Sequence, residues 1–329
     1  MEKKNILEVK DLSVSFKVAG TRTHVLDKIS FSVPKGESIG LVGESGCGKT
    51  TTLRAILNVL PNNATVDSGE VLFEGNDVFQ MKERNLQKFR QTGAGMIFQD
   101  PSSALNPVFT IQDQFLTALK YAFSGQSLSK KELLKKAEDA LSAVSLADPK
   151  RILNGYPFQL SGGMRQRVCI AMTLAADRNL LLADEPGTAL DVTIQDQILR
   201  LIRELVQERK LSVIMVSHSL GVIRQITTYV NIMYAGNIVE RGNTHEVFEN
   251  PKHPYTQALM RCLPKLTGEG IAEGIPGRLP DYANPPAGCR FAPRCPYATD
   301  RCHAERPASI QVNEGHFVSC FRAGEKEVI

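Results

Sequence analysis

Hydrophobic and polar positions alternate through the first part of the chain. Residues 6–9, 14–16 and 29–33 set apolar side chains at every second position or run β-branched, which predicts strands. Ile39-Gly40-Leu41-Val42 is apolar throughout, as expected of a short buried strand, and it leads into a glycine-rich loop. The period then changes. Leu53, Ile56, Leu57 and Leu60 recur at helical spacing, so residues 51–60 are predicted as a helix with Pro61 as its stop. Residues 70–98 hold a hairpin pattern and a strand at 96–98, and residues 111–147 read as helical. A helix after Ser161, a strand at 180–183, an amphipathic helix at 192–208 and a strand at 213–216 follow. This alternation of strands and helices indicates an α/β fold with a mainly parallel sheet covered on both faces. Residues 230–240 read as an edge hairpin turning at Ala235-Gly236-Asn237.

Composition changes this picture in one place. Ten of the seventeen prolines fall at or after Pro251, so long regular elements are not expected there. A boundary is expected at residues 250–265. The tail from Gly274 reads as a loop-rich module with few apolar residues for a core of its own. The 329 residues are 42% hydrophobic and 22% charged, with a net charge of +4 and no block of five or six like charges. That pattern argues against a nucleic-acid binder. No targeting segment and no apolar run of bilayer length is seen, so a role at a membrane requires docking on another subunit.

The loop Gly43-Glu44-Ser45-Gly46-Cys47-Gly48-Lys49-Thr50 fits G-x-x-x-x-G-K-[ST] between a strand and a helix that opens at Thr51. Backbone N–H groups of such a loop turn toward phosphate oxygens, and the helix N-terminus adds its positive end. Lys49 suits the terminal phosphates and Thr50 suits Mg2+. Leu180-Leu181-Leu182-Ala183-Asp184-Glu185 places two acids at the end of an apolar strand. Asp184 suits Mg2+ and Glu185 suits an attacking water.

Leu160-Ser161-Gly162-Gly163-Met164-Arg165-Gln166-Arg167 resembles the signature of ATP-binding-cassette (ABC) ATPases. Gln99 after Phe98, Asp191 after Ala189-Leu190, and His218 after Ser217 follow the family's order over residues 5 to about 250. The resemblance implies a P-loop ABC ATPase fold with a mixed, mainly parallel sheet, a helical subdomain at about 100–175 and an antiparallel β subdomain. Residues 1–255 are then the nucleotide-binding domain and 256–329 a C-terminal extension. It implies ATP and Mg2+ as ligands, with Gln99 sensing Mg2+ and water, and His218 at the γ-phosphate. Ser161, Gly162, Gly163 and Asp191 would serve the ATP of a partner cassette. Phe16 is the candidate for stacking on adenine, with a plain core position as the alternative. Met164, Gly187, Ser219 and Cys47 depart from the common pattern, but none of these removes a catalytic group.

The tail narrows the resemblance to the dipeptide/oligopeptide importer branch, through residues 253–259, Ile275-Pro276-Gly277 and residues 286–296. Upstream, residues 100–107 and 191–195 resemble the same branch. Cys289, Cys295, Cys302 and Cys320 have five, six and seventeen residues between them, a set of thiols suited to Zn2+ or an iron–sulfur cluster. The branch implies a [4Fe–4S] cluster here. Arg290, Arg294 and Arg301 lie near in sequence and could offset its charge, with plain solvated surface as the equal alternative. It also implies a second, homologous ATPase in a heterodimer, two transmembrane permease subunits and an extracytoplasmic solute-binding protein. The expected location is the cytoplasmic face of the cell membrane. Sister systems carry oligosaccharides, nickel or other small solutes. A soluble cassette acting on nucleic acid or ribosomes is the reading from another class.

Overall fold

A computed structural model of the chain describes residues 4–176, 178–187, 192–262 and 274–324. The chain divides into two compact units, one of residues 1–34, 38–80 and 216–329, the other of residues 35–37 and 81–215.

In the first unit, the alternating segments fuse into two long strands, Asn5–Val18 and Thr21–Pro34. The turn between them carries Ala19 and Gly20 at φ 47° and 85°, a left-handed pair that matches the twist of an antiparallel hairpin. Asn5–Val18 also pairs antiparallel with Ala64–Phe73, and Asn76–Asp77 completes a four-stranded sheet. This is the antiparallel β subdomain. A second sheet is mixed. Ser38–Val42, buried along its whole length, runs parallel to Tyr229–Tyr234. Tyr229–Tyr234 turns at Ala235-Gly236 into Asn237–Asn243, the hairpin expected from the sequence.

The helix after the glycine-rich loop is Lys49–Ile56, and it stops well before Pro61. Asn58 takes the left-handed position at φ 53°, its N–H donates to Ala55 O, and the Val59 N–H donates to Arg54 O. An asparagine that tolerates this conformation satisfies the last carbonyls first, so the proline is not the terminator.

The tail does not build a core alone. His316–Val318 adds to the edge of Asn237–Asn243, and Ile310–Asn313 pairs beyond it. Phe291, at 1% exposure, packs against Tyr234 and Tyr255 with ring centroids 5.0 and 5.5 Å away. Buried Glu240 accepts the N–H groups of Lys252 (2.8 Å) and His253 (2.9 Å), and His316 Nε2 lies 2.7 Å from it. A buried carboxylate with three such partners is a satisfied anchor. Burial pushes the His253 imidazole down to about 4, against the pull of Glu240, and its Nδ1 accepts from the Tyr255 N–H at 3.0 Å. That helix cap needs the neutral ring.

In the second unit, Ala94–Ile97 runs parallel to Leu180–Asp184, with Ser212–Val216 on the other side, and all three are fully buried. The strand expected at 96–98 therefore ends at Ile97 and leaves Phe98 exposed. The region expected as helical over 111–147 is two helices, Ile111–Ala122 and Lys130–Ala143. Thr110 caps the first, and a Ser129–Glu132 capping box starts the second. Among the described residues, no helix is long and apolar enough to cross a membrane.

The aromatic cluster makes the tail part of the first unit's core. Phe291→Ala is expected to cost about 3–5 kcal/mol, seen as a lower midpoint in chemical denaturation. An unchanged midpoint would contradict that packing role.

Candidate nucleotide site

The glycine-rich loop of the first unit is closed by its own sequence. A Cβ on Gly43 would collide with the Met233 carbonyl oxygen and with Cys47 Sγ, so only glycine permits that approach. Gly48 sits at φ 109°, another conformation that excludes ordinary side chains, and it caps the helix Lys49–Ile56. The Cys47 side chain is fully buried beneath the loop. Burial pushes its thiol up, only partly opposed by the Lys49 charge, so it acts as packing and not as a nucleophile.

The loop carbonyls are already hydrogen-bonded within the unit. Lys49, itself buried, donates to Gly43 O at 2.9 Å and Glu44 O at 3.1 Å. The Tyr282 hydroxyl donates to Gly46 O at 2.8 Å, and the Gly236 N–H to Cys47 O at 2.9 Å. Gly48 O accepts from Thr52, through its N–H at 2.9 Å and its hydroxyl at 3.0 Å. With these carbonyls paired, the loop can offer N–H groups to an anion without presenting carbonyl oxygens to it. Ser45 and Gly46 are exposed, and Thr50 and Thr51 are half-buried in the first helical turn. In the same unit, Phe16 is half-buried on Asn5–Val18 opposite Thr23 and Ala64, and His218 is exposed just after Ser212–Val216.

The second unit holds the acid pair. Asp184 ends the buried strand at 3% exposure, and Glu185 follows at 5% with φ 48°. A left-handed glutamate is a costly backbone state, and here the surroundings hold it. Gln99 Nε2 donates to Glu185 Oε2 at 3.1 Å. Gln166 Nε2 donates to Pro186 O at 2.7 Å from a fully buried position. Gln166 lies on the helix Gly162–Leu174, which Ser161 caps by accepting the Met164 N–H at 3.3 Å. A Cβ on Gly163 would come within 2.7 Å of Ile194 Cγ2, so this glycine lets two helices approach. The structure thus brings Gln99 to Glu185, and ties the helix that carries the signature to the turn after the acids. Asp191, with 188–190, lies outside the described residues.

The four tail cysteines all line one small cavity with Phe291, Tyr297 and Phe321. Cys289, Cys295, Cys302 and Cys320 are not joined by disulfides. Burial pushes Cys289 up to about 11 and also raises Cys295 and Cys320, with neighbouring thiols adding to each rise. Backbone N–H groups reach three of the sulfurs: Phe291 and Ala292 to Cys289, Tyr297 to Cys295, and Arg322 and Ala323 to Cys320. Among the described residues, no three His, Cys, Asp or Glu side chains are grouped closely enough to hold a metal ion. The geometry by itself therefore does not supply the expected Zn2+ site or cluster. The three arginines expected to offset its charge are engaged elsewhere. Arg290 pairs with Asp27 at 3.2 Å and donates to Ala235 O, Arg294 pairs with Glu44, and Arg301 pairs with Glu305 at 3.1 Å. A carboxylate within reach outcompetes a neutral thiol for a guanidinium.

Residues 26–188 match the ABC transporter family, and residues 239–302 match the C-terminal region of oligopeptide/dipeptide transporters. The chain is 43% identical to a probable peptide ABC transporter ATP-binding protein, y4tR, of Sinorhizobium fredii, over 97% of this chain and 96% of that one. The chain belongs to the ABC transporter ATPases. This ABC ATPase is also 43% identical to the oligopeptide transport ATP-binding protein OppD of Bacillus subtilis, over 96% of this chain and 88% of that one. To the dipeptide transport ATP-binding protein DppD of Escherichia coli it is 41% identical, over 96% of each. Among solved structures, the ATP-binding cassette MJ0796 in a dimeric post-hydrolysis state bound to ADP and Pi superposes with a TM-score of 0.65. That match has 27% identity and covers 72% of this chain and 98% of the other. The P-loop ABC fold expected from the sequence is thereby shown, and the C-terminal part of this ABC ATPase is of the oligopeptide/dipeptide transporter type.

Sequence reading missed three kinds of contact in this ABC ATPase. Gln166 stands in the signature motif but carries no sign that it holds Pro186. Tyr255 lies in the helix Pro254–Arg261 and Tyr282 in a loop, and nothing in either segment marks the distant loop that they meet. Arg294 is surrounded by cysteines in sequence, which suggested the wrong partner. Gln166→Leu is expected to lower kcat for ATP by about 10- to 100-fold with KM kept, because it frees the Glu185 turn without touching the phosphate loop. A variant with full kcat would remove Gln166 from that role.

Proposed function

We propose that this chain is the ATP-hydrolysing subunit that drives import of di- or oligopeptides. The observation that carries the reading is its likeness, along nearly the whole length, to peptide-transport ATP-binding proteins, with the C-terminal match over 239–302. Residues 1–255 are the nucleotide-binding part and 256–329 the extension. Gly43 to Thr51, with Lys49, hold the phosphates, and Phe16 stacks on adenine. Asp184 and Glu185 form a buried anionic pair whose oxygen chemistry suits a hard divalent cation. Thr50, Asp184 and Gln99 are the Mg2+ residues by sequence pattern, and Mg2+ when bound neutralises charge on the phosphates.

Glu185 accepts the proton of the attacking water, and the Gln99 amide holds its carboxylate in place. His218 donates toward the γ-phosphate oxygens. Ser161, Gly162 and Gly163 open a helix, and its N-terminal end serves the nucleotide of a partner cassette, with Asp191 crossing that seam. The partners are a second, homologous ATPase in a heterodimer, two permease subunits and an external solute-binding protein. The chain docks on the permease subunits at the cytoplasmic face of the membrane, and exposed Phe98, Val108, Phe109 and Phe158 of the second unit are apolar side chains available for that contact.

The same reading gives Cys289, Cys295, Cys302 and Cys320 a [4Fe–4S] cluster that staples the tail. Its support is that the four side chains share one cavity and that backbone N–H groups reach three of the sulfurs.

Glu185→Gln is expected to slow ATP turnover of the assembled transporter by at least about 100-fold, with ATP binding kept and uptake of labelled dipeptide lost. Unchanged turnover would remove Glu185 from its role, and unchanged peptide uptake would remove the chain from peptide import. Anaerobically purified protein is expected to contain roughly four iron and four sulfide per chain, with broad absorbance in the visible blue. Zinc without iron would overturn the cluster.

A further inference from the structure

The outer face of the phosphate loop is held by the C-terminal region at three points, all within the first unit. Arg294 Nη1 and Nη2 donate to the two carboxylate oxygens of Glu44, at 2.9 and 3.1 Å. The Tyr282 hydroxyl donates to Gly46 O at 2.8 Å. The Tyr255 hydroxyl accepts the Glu44 N–H at 3.0 Å. Two of these three residues lie in the extension beyond the helix Pro254–Arg261, and Tyr255 lies in that helix.

Arg294 is built into its place. Its side chain is 5% exposed, and all five guanidinium N–H donors are used. Besides the two to Glu44, Nε donates to Pro276 O at 2.8 Å, Nη2 to Ile275 O at 2.9 Å and Nη1 to the Tyr234 hydroxyl at 3.3 Å. Tyr282 is tethered too, since its carbonyl accepts the His24 N–H at 2.8 Å. A planar fork with every donor satisfied fixes the position of the carboxylate it grips more tightly than a surface ion pair does. Glu44 is the second residue of the phosphate loop, so fixing its side chain and its N–H fixes one end of the loop.

A loop that is ordered before its ligand arrives loses less entropy on binding. We propose that Arg294 is a positioning residue for the phosphate loop: through Glu44, with Tyr282 and Tyr255 beside it, the C-terminal region sets this cassette's affinity for ATP. This rests on reading Gly43 to Thr51 as the ATP site. Arg294 directly precedes Cys295, which lines the cysteine cavity.

The test has two readouts on the full chain. Binding of a fluorescent ATP analogue to the purified chain gives Kd, and ATP turnover in the assembled transporter gives KM and kcat. Arg294→Ala is expected to raise Kd and KM about tenfold with kcat within about twofold. Arg294→Lys, which keeps the charge but not the fork, falls between it and the parent. Glu44→Ala with Arg294→Ala is expected to be no worse than either alone, because both remove one interaction. A loss of folded protein lowers kcat and leaves KM in place, so the split separates a folding defect from a positioning one. Unchanged Kd and KM in Arg294→Ala, a fall in kcat alone, or additive effects in the double variant would overturn the proposal. Lys49→Ala is the separate control. It is expected to lose analogue binding, and if it binds like the parent the loop reading itself fails, whatever Arg294 does.

Discussion

A loop that binds a polyanion through backbone N–H groups must keep its own carbonyl oxygens out of the way. That constraint organises the first unit. Five carbonyls of the phosphate loop, those of Gly43, Glu44, Gly46, Cys47 and Gly48, accept hydrogen bonds from partners inside this unit. The donors come from the helix that follows, the hairpin turn at Gly236 and the C-terminal extension. Gly43 admits the Met233 carbonyl oxygen at a distance no Cβ would allow, and Cys47 fills the space below. Each unpaired carbonyl would place negative charge beside any anion bound at the loop, in a partly buried setting where it costs most.

The second unit answers a matching constraint for acids. Two carboxylates end an apolar strand and stay buried, and the second of them, Glu185, has a left-handed backbone. Such a backbone persists only when its surroundings over-determine it. Gln99 holds the carboxylate, and Gln166 holds the next carbonyl from a fully buried position on the signature helix. The sequence motif at Ser161 is therefore structural within its own chain as well as a proposed contact for a partner's nucleotide.

Period and motif made much of this legible. The alternating residues 29–33, the buried run at Ile39 and the loop pattern at Gly43 each reflect a local rule, and each lies where it was expected. The signature helix begins at Gly162, directly after Ser161, as expected. Legibility fails where a contact joins segments far apart in the chain. The end of the helix Lys49–Ile56 depended on the tolerance of Asn58 for positive φ, which competed with the more visible Pro61. The tail looked short of apolar residues because its core is borrowed: Phe291 packs on Tyr234 and Tyr255, which precede it by 57 and 36 positions. Arg294 stands beside Cys295 in sequence, yet its carboxylate partner is 250 residues away. No periodicity marks such pairs.

Hydrogen exchange at individual loop amides tests the central claim most directly. The account predicts that the Glu44 amide, already bonded to Tyr255, exchanges slowly without nucleotide. It predicts that the amides of Gly46, Gly48, Lys49 and Thr50 become slow when ATP and Mg2+ are added. Loop amides whose exchange is the same with and without ATP would contradict it, because the backbone of this loop would then not be what holds the phosphates.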